Sequence, residues 1–346
     1  MAAGNRIAIV GAGSWGTALA CNLGRGGETF LWSRDPGQVA HMKAERHNPR
    51  HLPNAEFPKH VYFTDDLADA VYNVPIVIMA VPAKAMSTTA LALSAVLRTQ
   101  ARRGTEGPLV LSAAKGLDPD SGRLMSQVLS EALGDRATIG ALSGPNIATE
   151  VATGLPTATV IAATDGRRAE EAQRRISGSR LRAYTNDDVV GVEVGGAMKN
   201  VVAIAAGIAD GMEAGDNAKA ALMTRGLSEM TRLGVATGAR ARTFAGLTGL
   251  GDLIVTCASP HSRNRRVGVG IGKGQTLEQV LAGMTEIAEG VNTTREAVRL
   301  GRRLGVELPI AEALAAIMFE GADPMTTAAT LMTRTGRSEM EGLGLG

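Results

Sequence analysis

The sequence predicts an α/β domain with a mainly parallel sheet, followed by an all-helical domain. A short apolar run, residues 6–10, leads directly into the glycine-rich string GAGSWG, and a segment with helical periodicity follows. Apolar, β-branched runs recur along the first half, as expected for buried parallel strands: residues 75–82, 108–116, 137–145 (weaker) and 156–164. After about residue 189, helix-forming segments alternate with glycine-rich turns and no comparable strand run appears, which indicates a change of architecture.

The composition is that of an ordinary globular protein of two domains. The chain has 346 residues, of which 45% are hydrophobic and 20% charged, with a net charge of +2. The balanced charge gives no reason to expect nucleic acid as a partner, and no apolar run looks long enough to embed the chain in a membrane. We expect a cytoplasmic protein, because the apolar N-terminal run continues straight into the glycine string. Cys21 and Cys257 fit no disulfide or metal spacing.

Local patterns give the expected element boundaries. Residues 28–34 read as a second strand, and residues 36–60, rich in Pro, His and Asn, read as a surface loop or broken helix. The string TDDLADAV predicts a helix capped by Thr64 or Asp65, and RRAEEAQRRIS predicts a charged amphipathic helix. We expect domains at 1–188 and 189–335, with a flexible tail at 336–346.

The glycine string predicts a dinucleotide site. Gly11, Gly13 and Gly16 form GxGxxG after a strand and at the start of a helix, which is the context that such a site requires. In that context Gly11 permits the tight turn, Gly13 lets a pyrophosphate approach the backbone, and Gly16 allows close packing of helix on strand. The N–H groups at the helix start attract phosphates. These features predict a Rossmann-type domain.

The end of the second strand bears on the choice of cofactor. An enzyme restricted to NAD usually has an acidic residue there, which binds the ribose 2′-hydroxyl. Here Arg34 stands at that place and could pair with the 2′-phosphate of NADP, whereas the adjacent Asp35 could serve the hydroxyl of NAD. The sequence favours NADP or dual use over NAD alone.

Lys199 is the charged residue that points to catalysis. It is the only formally charged residue in GGAMKNVVAIAAG, and an unpaired buried ammonium is costly, so it should line a cleft or have a partner. Small neighbours such as Gly195 and Ala203 would leave room for a ligand. Desolvation would make Lys199 a better general acid for a carbonyl that becomes an alkoxide. The alternative is a lysine whose ammonium reaches solvent at a domain seam.

Three other places in the sequence offer polar groups for a ligand. Lys115 follows an apolar run at the expected carboxyl end of a strand, where ligands of such sheets gather, and the alternative is an exposed lysine after the strand. The segment 262–266, SRNRR, supplies hydroxyl, guanidinium and amide donors for a phosphate, although basic runs are more often solvated. Asp252, in GLTGLGDLIVTC, is either a helix N-cap or a ligand for hydroxyl groups.

Taken together, these strings resemble bacterial NAD(P)-dependent glycerol-3-phosphate dehydrogenases along nearly the whole chain. The similar strings occur in the same order as in that family: GAGSWGTALA, NPRHLP, AAKGL, SGPNIATEV, AMKNVVAIAAG, GLGDLIVTC, SRNRRVG, AEGV and LPIAEA. The resemblance implies a cytoplasmic homodimer that reduces dihydroxyacetone phosphate to sn-glycerol 3-phosphate with NADP or NAD, supplying glycerophospholipid synthesis.

The resemblance also implies roles for single residues. Lys199 is implied as the catalytic proton donor and acceptor. Implied substrate contacts are Lys115, Gly144, Asn146, Lys199, Asp252, Ser262, Arg263 and Asn264, the last three at the phosphate end. Implied cofactor contacts are Gly11, Gly13, Ser14, Trp15, Gly16, Arg34, Lys115, Ala148, Arg263, Ile287 and Glu289. The family often has Ser or Thr where Asn146 stands.

Three other interpretations are less favoured. A β-hydroxyacid dehydrogenase would also join a Rossmann domain to a helical domain with a catalytic lysine, but SRNRR suits a phosphate better than a carboxylate. A non-enzymatic NADP sensor would have no use for a lysine in apolar sequence. His41, His47, His51 and His60 match no tetrahedral metal signature, so we expect no metal.

Overall fold

The computed structural model describes residues 6–100, 106–284 and 287–334. It divides into two units: the first holds the chain up to Ala114 together with Met125–Val189, and the second holds Lys115–Leu124 and the chain from Val190 onward. The predicted first domain, 1–188, included Lys115–Leu124, but this segment belongs to the second unit. Leu117 and Leu124 form an isolated antiparallel bridge and are buried in the core of the helical unit. The proposed tail, 336–346, lies outside the described residues.

The first unit is built on a mainly parallel sheet, as predicted. Eight strands have the order β10-β9-β8-β7-β6-β1-β2-β5, and every neighbouring pair is parallel except β8 with β9. The strand order reverses beside β1, the kind of place where doubly wound sheets bind ligands. In chain order the strands of this unit, of which β3 and β4 lie outside the eight-stranded sheet, are β1 Ile7–Val10, β2 Thr29–Trp32, β3 His47–Asn48, β4 Leu52–Glu56, β5 Val61–Thr64, β6 Ile76–Met79, β7 Leu109–Ser112, β8 Thr138–Ser143, β9 Thr157–Ala163 and β10 Leu181–Asn186.

Helices cover both faces of this sheet. Alternate side chains of β1 enter different cores, Ile7 and Ile9 on one face and Ala8 and Val10 on the other, as expected for a strand buried on both sides. The helices of this unit are α1 Ser14–Leu23, α2 Pro36–Glu45, α3 Leu67–Ala70, α4 Ala83–Gln100, α5 Met125–Leu133, α6 Ala148–Thr153 and α7 Gly166–Ile176. A 3₁₀ turn, Gly134–Arg136, follows α5.

The region 36–60 is more ordered than the sequence analysis expected. Asp35 caps α2 by accepting the Gln38 N–H, and Pro36 occupies the first helical position, which proline favours. β3 and β4 then form a short antiparallel pair. The expected cap of α3 at Thr64 or Asp65 is also wrong: Asp66 accepts the Ala68 N–H, because Thr64 still belongs to β5.

The second unit is helical throughout its described residues after Val190. α8 is long and apolar enough to cross a membrane, but 89% of its most apolar window is buried inside the protein, as in the core helix of a folded domain. The helices are α8 Val189–Gly211, α9 Gly215–Ala236, α10 Ala241–Phe244, α11 Asp252–Ala258, α12 Arg263–Gly272, α13 Leu277–Ala282, α14 Glu289–Leu304, α15 Pro309–Glu320 and α16 Pro324–Met332. A π-helical turn, Leu247–Gly251, precedes α11.

Candidate active site

The glycine turn after β1 forms a tight entry to α1. Gly11 has φ of 118°, a conformation that L-residues with a side chain rarely adopt. The first bond of α1 joins the Thr17 N–H to the Gly13 carbonyl at 2.9 Å. The turn therefore leads directly into the N-terminus of α1, which is the positive end of the helix dipole.

The three glycines of the motif differ in what requires them. A Cβ on Gly16 would lie 1.8 Å from the Gly11 carbonyl oxygen, so a side chain there would force the turn and helix apart. A Cβ on Gly13 would meet no described atom within 4 Å, so internal packing does not require glycine there. The indole N–H of Trp15 is buried and has no hydrogen-bond partner among the described residues. An open backbone, a helix N-terminus and an unused donor suit a dinucleotide phosphate.

At the end of β2, the structure distinguishes the two candidates for cofactor selection. Arg34 is exposed and forms no hydrogen bond or ion pair with the part of the chain that is described. Asp35 accepts the Gln38 N–H at 3.1 Å and pairs with Arg50 at 2.9 Å. The Gln38 N–H and the Arg50 guanidinium lower the pKa of Asp35. The carboxylate is thus engaged in capping α2, whereas the Arg34 guanidinium is available to a phosphate.

The loop after β8 holds three more predicted residues. Gly144 has φ of 145°, and Ala148 is the first residue of α6. The amide of Asn146 donates to the Ala158 carbonyl at 2.8 Å and accepts from the Thr159 hydroxyl at 3.1 Å. Asn146 therefore fastens this loop to β9, and one amide N–H is left for a substrate.

The helical unit brings Lys199, Asp252 and Lys115 together. The Lys199 Nζ donates to Asp252 Oδ1 at 2.8 Å, and the Lys115 Nζ donates to Asp252 Oδ2 at 2.7 Å. The Lys199 Nζ also donates to the Thr256 hydroxyl at 2.7 Å. Lys199 and Asp252 are 6% and 1% exposed. One buried carboxylate therefore holds two ammonium groups, and the cluster has a net positive charge.

This environment changes the acidity of Lys199. Burial lowers the pKa of Lys199 from 10.5 to about 8, the Asp252 carboxylate opposes that effect, and the Lys115 ammonium adds to it. Burial favours the neutral amine because an ammonium loses its hydration, and a neighbouring cation acts in the same direction. Near neutral pH, Lys199 is protonated and acidic enough to give up its proton.

Close packing of a glycine in α8 against the π-helical turn sets the position of Asp252. It is the first residue of α11 and follows the π-helical turn, with Gly251 in the cap position, so it is not the N-cap that the sequence left open. A Cβ on Gly195 would lie 2.7 Å from the Thr248 carbonyl oxygen in that turn. The prediction that the small residue Gly195 leaves room for a ligand is therefore wrong, because Gly195 lets α8 touch the turn that presents Asp252.

The predicted phosphate-binding residues stand at the start of α12. Ser262 is its N-cap and accepts the Arg265 N–H at 3.2 Å, which leaves the hydroxyl proton to donate. Arg263 is half-buried, and within the described ranges it forms no hydrogen bond or ion pair. Asn264 is buried and donates to Asn200 Oδ1 at 2.8 Å. A guanidinium, a hydroxyl and an amide thus share one positive helix end.

The structure places the remaining residues and adds two that the sequence analysis missed. Ile287 is 42% exposed and Glu289 is the first residue of α14. Thr256 was missed, although it stands four residues after Asp252 and so shares a helix face with it. Asn200 was missed although it follows Lys199. The predicted contacts in the first unit are Gly11, Gly13, Ser14, Trp15, Gly16, Arg34, Gly144, Asn146 and Ala148.

Comparison with known proteins agrees with the resemblance. Residues 6–169 match the N-terminal family, and residues 188–329 the C-terminal family, of NAD-dependent glycerol-3-phosphate dehydrogenase. A glycerol-3-phosphate dehydrogenase (NAD(P)+) of Salinibacter ruber is 46% identical over 96% of this chain and 96% of its own length. One of Thermoanaerobacter sp. is 44% identical over 98% of this chain and 100% of its own length.

A solved structure resembles both units of the chain. The crystal structure of a glycerol-3-phosphate dehydrogenase from Coxiella burnetii matches with a TM-score of 0.88 and 37% identity. The match covers 95% of this chain and 99% of that one. The chain therefore belongs to the NAD-dependent glycerol-3-phosphate dehydrogenase family.

Proposed function

We propose that this protein reversibly reduces dihydroxyacetone phosphate to sn-glycerol 3-phosphate, with Lys199 as the proton donor and acceptor. The observation that supports this most is the buried Lys199 ammonium, whose pKa of about 8 suits proton transfer near neutral pH. A ketone that gains a hydride becomes an alkoxide, and a proton donor or cation at that oxygen stabilises the transition state. Family membership supports the same assignment.

In the proposed reaction, each residue of the cluster has a separate task. The reduced nicotinamide, when bound, supplies the hydride. Lys199 donates its proton to the ketone oxygen, and Lys115 adds positive charge close to the same carboxylate. Asp252 holds both ammonium groups in place, because its two oxygens each accept from one of them, and its charge favours the protonated form of Lys199. In the oxidative direction the neutral Lys199 amine takes the hydroxyl proton, which requires a pH near or above its pKa.

Arg263, Ser262 and Asn264 are proposed to bind the substrate phosphate. Arg263 has no internal partner among the described residues, and a guanidinium can give a phosphate two parallel, charge-assisted hydrogen bonds. Lys115, Gly144, Asn146 and Asp252 are proposed as further substrate contacts, as the resemblance implies. These roles are distributed so that the phosphate and the ketone oxygen meet different donors.

The glycine turn is proposed to bind the cofactor pyrophosphate, through Gly11, Gly13, Ser14, Trp15 and Gly16. We propose that NADP is used at least as well as NAD, because Asp35 is engaged and Arg34 is available. Ala148, Ile287, Glu289, Lys115 and Arg263 are the other proposed cofactor contacts. We further propose that the protein is a cytoplasmic homodimer that supplies glycerophospholipid synthesis. Size-exclusion chromatography with light scattering tests whether it is a dimer.

The proposed activity is tested by following absorbance at 340 nm with dihydroxyacetone phosphate and either NADPH or NADH. We expect turnover with the phosphorylated ketone and a much weaker rate with dihydroxyacetone, which lacks the phosphate. Turnover of a β-keto acid instead would indicate a β-hydroxyacid dehydrogenase. Cofactor binding without turnover of any phosphorylated ketone would refute the proposed enzyme and indicate a sensor.

A further inference from the structure

Two buried asparagine amides connect separate segments of the helical unit. The Asn200 Nδ2 donates to the Lys115 carbonyl at 3.1 Å and to the Gly196 carbonyl at 3.4 Å. Its Oδ1 accepts from Asn264 Nδ2 at 2.8 Å, and Asn264 Oδ1 accepts the Gly290 N–H at 2.9 Å. Asn200 and Asn264 are 4% and 8% exposed, so water does not replace these bonds. We call this series, from the Lys115 carbonyl to the Gly290 N–H, the amide chain.

The backbone groups at the two ends fix the direction of both amides. Asn200 faces two carbonyl oxygens, so its nitrogen must point toward Lys115 and Gly196 and its oxygen toward Asn264. Asn264 then needs its nitrogen toward Asn200 and its oxygen toward the Gly290 N–H. A flip of either amide would set oxygen against oxygen in a buried place. The second N–H of the Asn264 side-chain amide takes no part in the amide chain.

The segments that the amide chain joins all hold proposed site residues. Lys115 places its ammonium on Asp252 through its side chain and is held by Asn200 through its main chain. Gly290 lies in the first turn of α14, directly after Glu289. Asn264 follows Arg263 at the start of α12.

We propose that Asn200 is a positioning residue that holds the Lys115 main chain and directs the remaining N–H of Asn264 toward the substrate phosphate. The second part rests on the proposed function, because it assumes a phosphorylated substrate. Asn200 itself contacts neither substrate nor cofactor in this proposal. Its effect on phosphate recognition passes through Asn264, and its effect on the lysine cluster passes through Lys115.

Hydrogen exchange without ligand tests the amide chain directly. In Asn200→Ala, Asn264 loses its fixed direction, so the Gly290 N–H should exchange about fivefold faster or more, although Asn200 does not contact Gly290. In Asn200→Asp, the oxygen toward Asn264 is kept while both donors to carbonyls are lost. The segment 115–124 should then exchange faster and Gly290 should remain protected. Unchanged Gly290 exchange in the folded Ala variant would overturn the proposal.

Substrate kinetics test the consequence for recognition. Asn200→Ala should raise KM for dihydroxyacetone phosphate about tenfold and change KM for dihydroxyacetone much less. Combining it with Asn264→Ala should raise that KM little further than Asn264→Ala alone, because both act through the same N–H. Thr231→Val is the control, since Thr231 is equally buried and, among the described residues, its hydroxyl bonds only to the Leu227 carbonyl of its own helix.

The two failures can be told apart. If wild-type protein does not turn over dihydroxyacetone phosphate, the proposed function fails, while hydrogen exchange still decides whether the amide chain exists. If wild-type turnover is normal and Asn200→Ala shifts KM equally for both ketones, the role of Asn200 in phosphate recognition is refuted. The proposed role of Asn200 would also be overturned if Asn200→Ala and Thr231→Val lowered stability equally and Asn200→Ala had no further effect.

Discussion

Replacing Asp252 with Asn removes a negative charge that lies 2.8 Å from the Lys199 ammonium and nearly keeps the shape of the side chain. Coulomb's law at that distance gives about 6 kcal/mol at an effective dielectric constant of about 20, which is an upper bound because Lys115 shares the carboxylate. An opposite charge this close typically moves a pKa by about 1–3 units, or about 1.4–4 kcal/mol. The ammonium form of Lys199 loses that stabilisation in Asp252→Asn, so its pKa should fall.

The assay is the pH dependence of kcat/KM for reduction of dihydroxyacetone phosphate. The reductive reaction needs protonated Lys199, so its rate should decline as the pH rises through the Lys199 pKa, near 8 in wild-type protein. In Asp252→Asn this decline should begin at least about one unit lower. Lys115→Met removes a like charge and should move the decline to higher pH, whatever its effect on the maximum rate.

Thr256→Val serves as the matched control. It removes a neutral hydroxyl that accepts from Lys199 at 2.7 Å, and it changes no charge, so the decline should stay within about half a unit of wild type. A decline that stays in place or moves upward in Asp252→Asn would refute the electrostatic reasoning. A decline that moves to lower pH in Lys115→Met would also refute it.

Other predictions follow from residues outside this cluster. Arg263→Ala should weaken the binding of dihydroxyacetone phosphate by about 1.5–3 kcal/mol, which is measured as a higher KM. An unchanged KM would show that Arg263 does not bind the phosphate. Arg34→Ala should raise KM for NADPH about tenfold and leave that for NADH nearly constant; equal changes would contradict a 2′-phosphate contact. Glu229 accepts the Ile310 N–H at 2.7 Å, and burial raises its pKa from 4.5 to about 7. Between these pH values the unfolded chain has lost the Glu229 proton and the folded protein still holds it, so the free energy of unfolding should fall as the pH rises from about 4.5 to about 7. Glu229→Gln should therefore gain on the order of 2 kcal/mol relative to wild type between pH 5 and pH 8 in thermal melts, and a constant difference would contradict this.

Local sequence patterns predicted those parts of the fold that local physics decides. The glycine turn and strands β1, β6 and β7 were predicted because continuous apolar runs next to glycine or proline are strong signals. β5 and β10 were not predicted, since both are edge strands in which exposed residues such as Tyr62 and Tyr184 interrupt the apolar pattern. For α2 the sequence left a loop and a broken helix open, because its Pro and Asp mark a helix start as well as a turn.

The candidate site divides in the same way. Lys199 could be singled out because a lone charge in an apolar helix needs a partner. That its partner is Asp252, 53 residues away, could not be read from either segment, since the contact depends on how α8 packs on the π-helical turn. Lys115 joins the cluster only because the segment 115–124 buries Leu117 and Leu124 in the helical unit. Long-range packing of this kind leaves no local pattern.

The central claim, that Lys199 transfers the proton, is tested most directly by single-turnover reduction of dihydroxyacetone phosphate at 340 nm with Lys199→Ala. We expect the rate to fall on the order of 10²–10⁴-fold with the circular dichroism spectrum and NADPH affinity unchanged. Lys219→Ala, which removes a lysine paired with Asp210 in the same unit, should stay near the wild-type rate. A near-wild-type rate in Lys199→Ala would contradict the account.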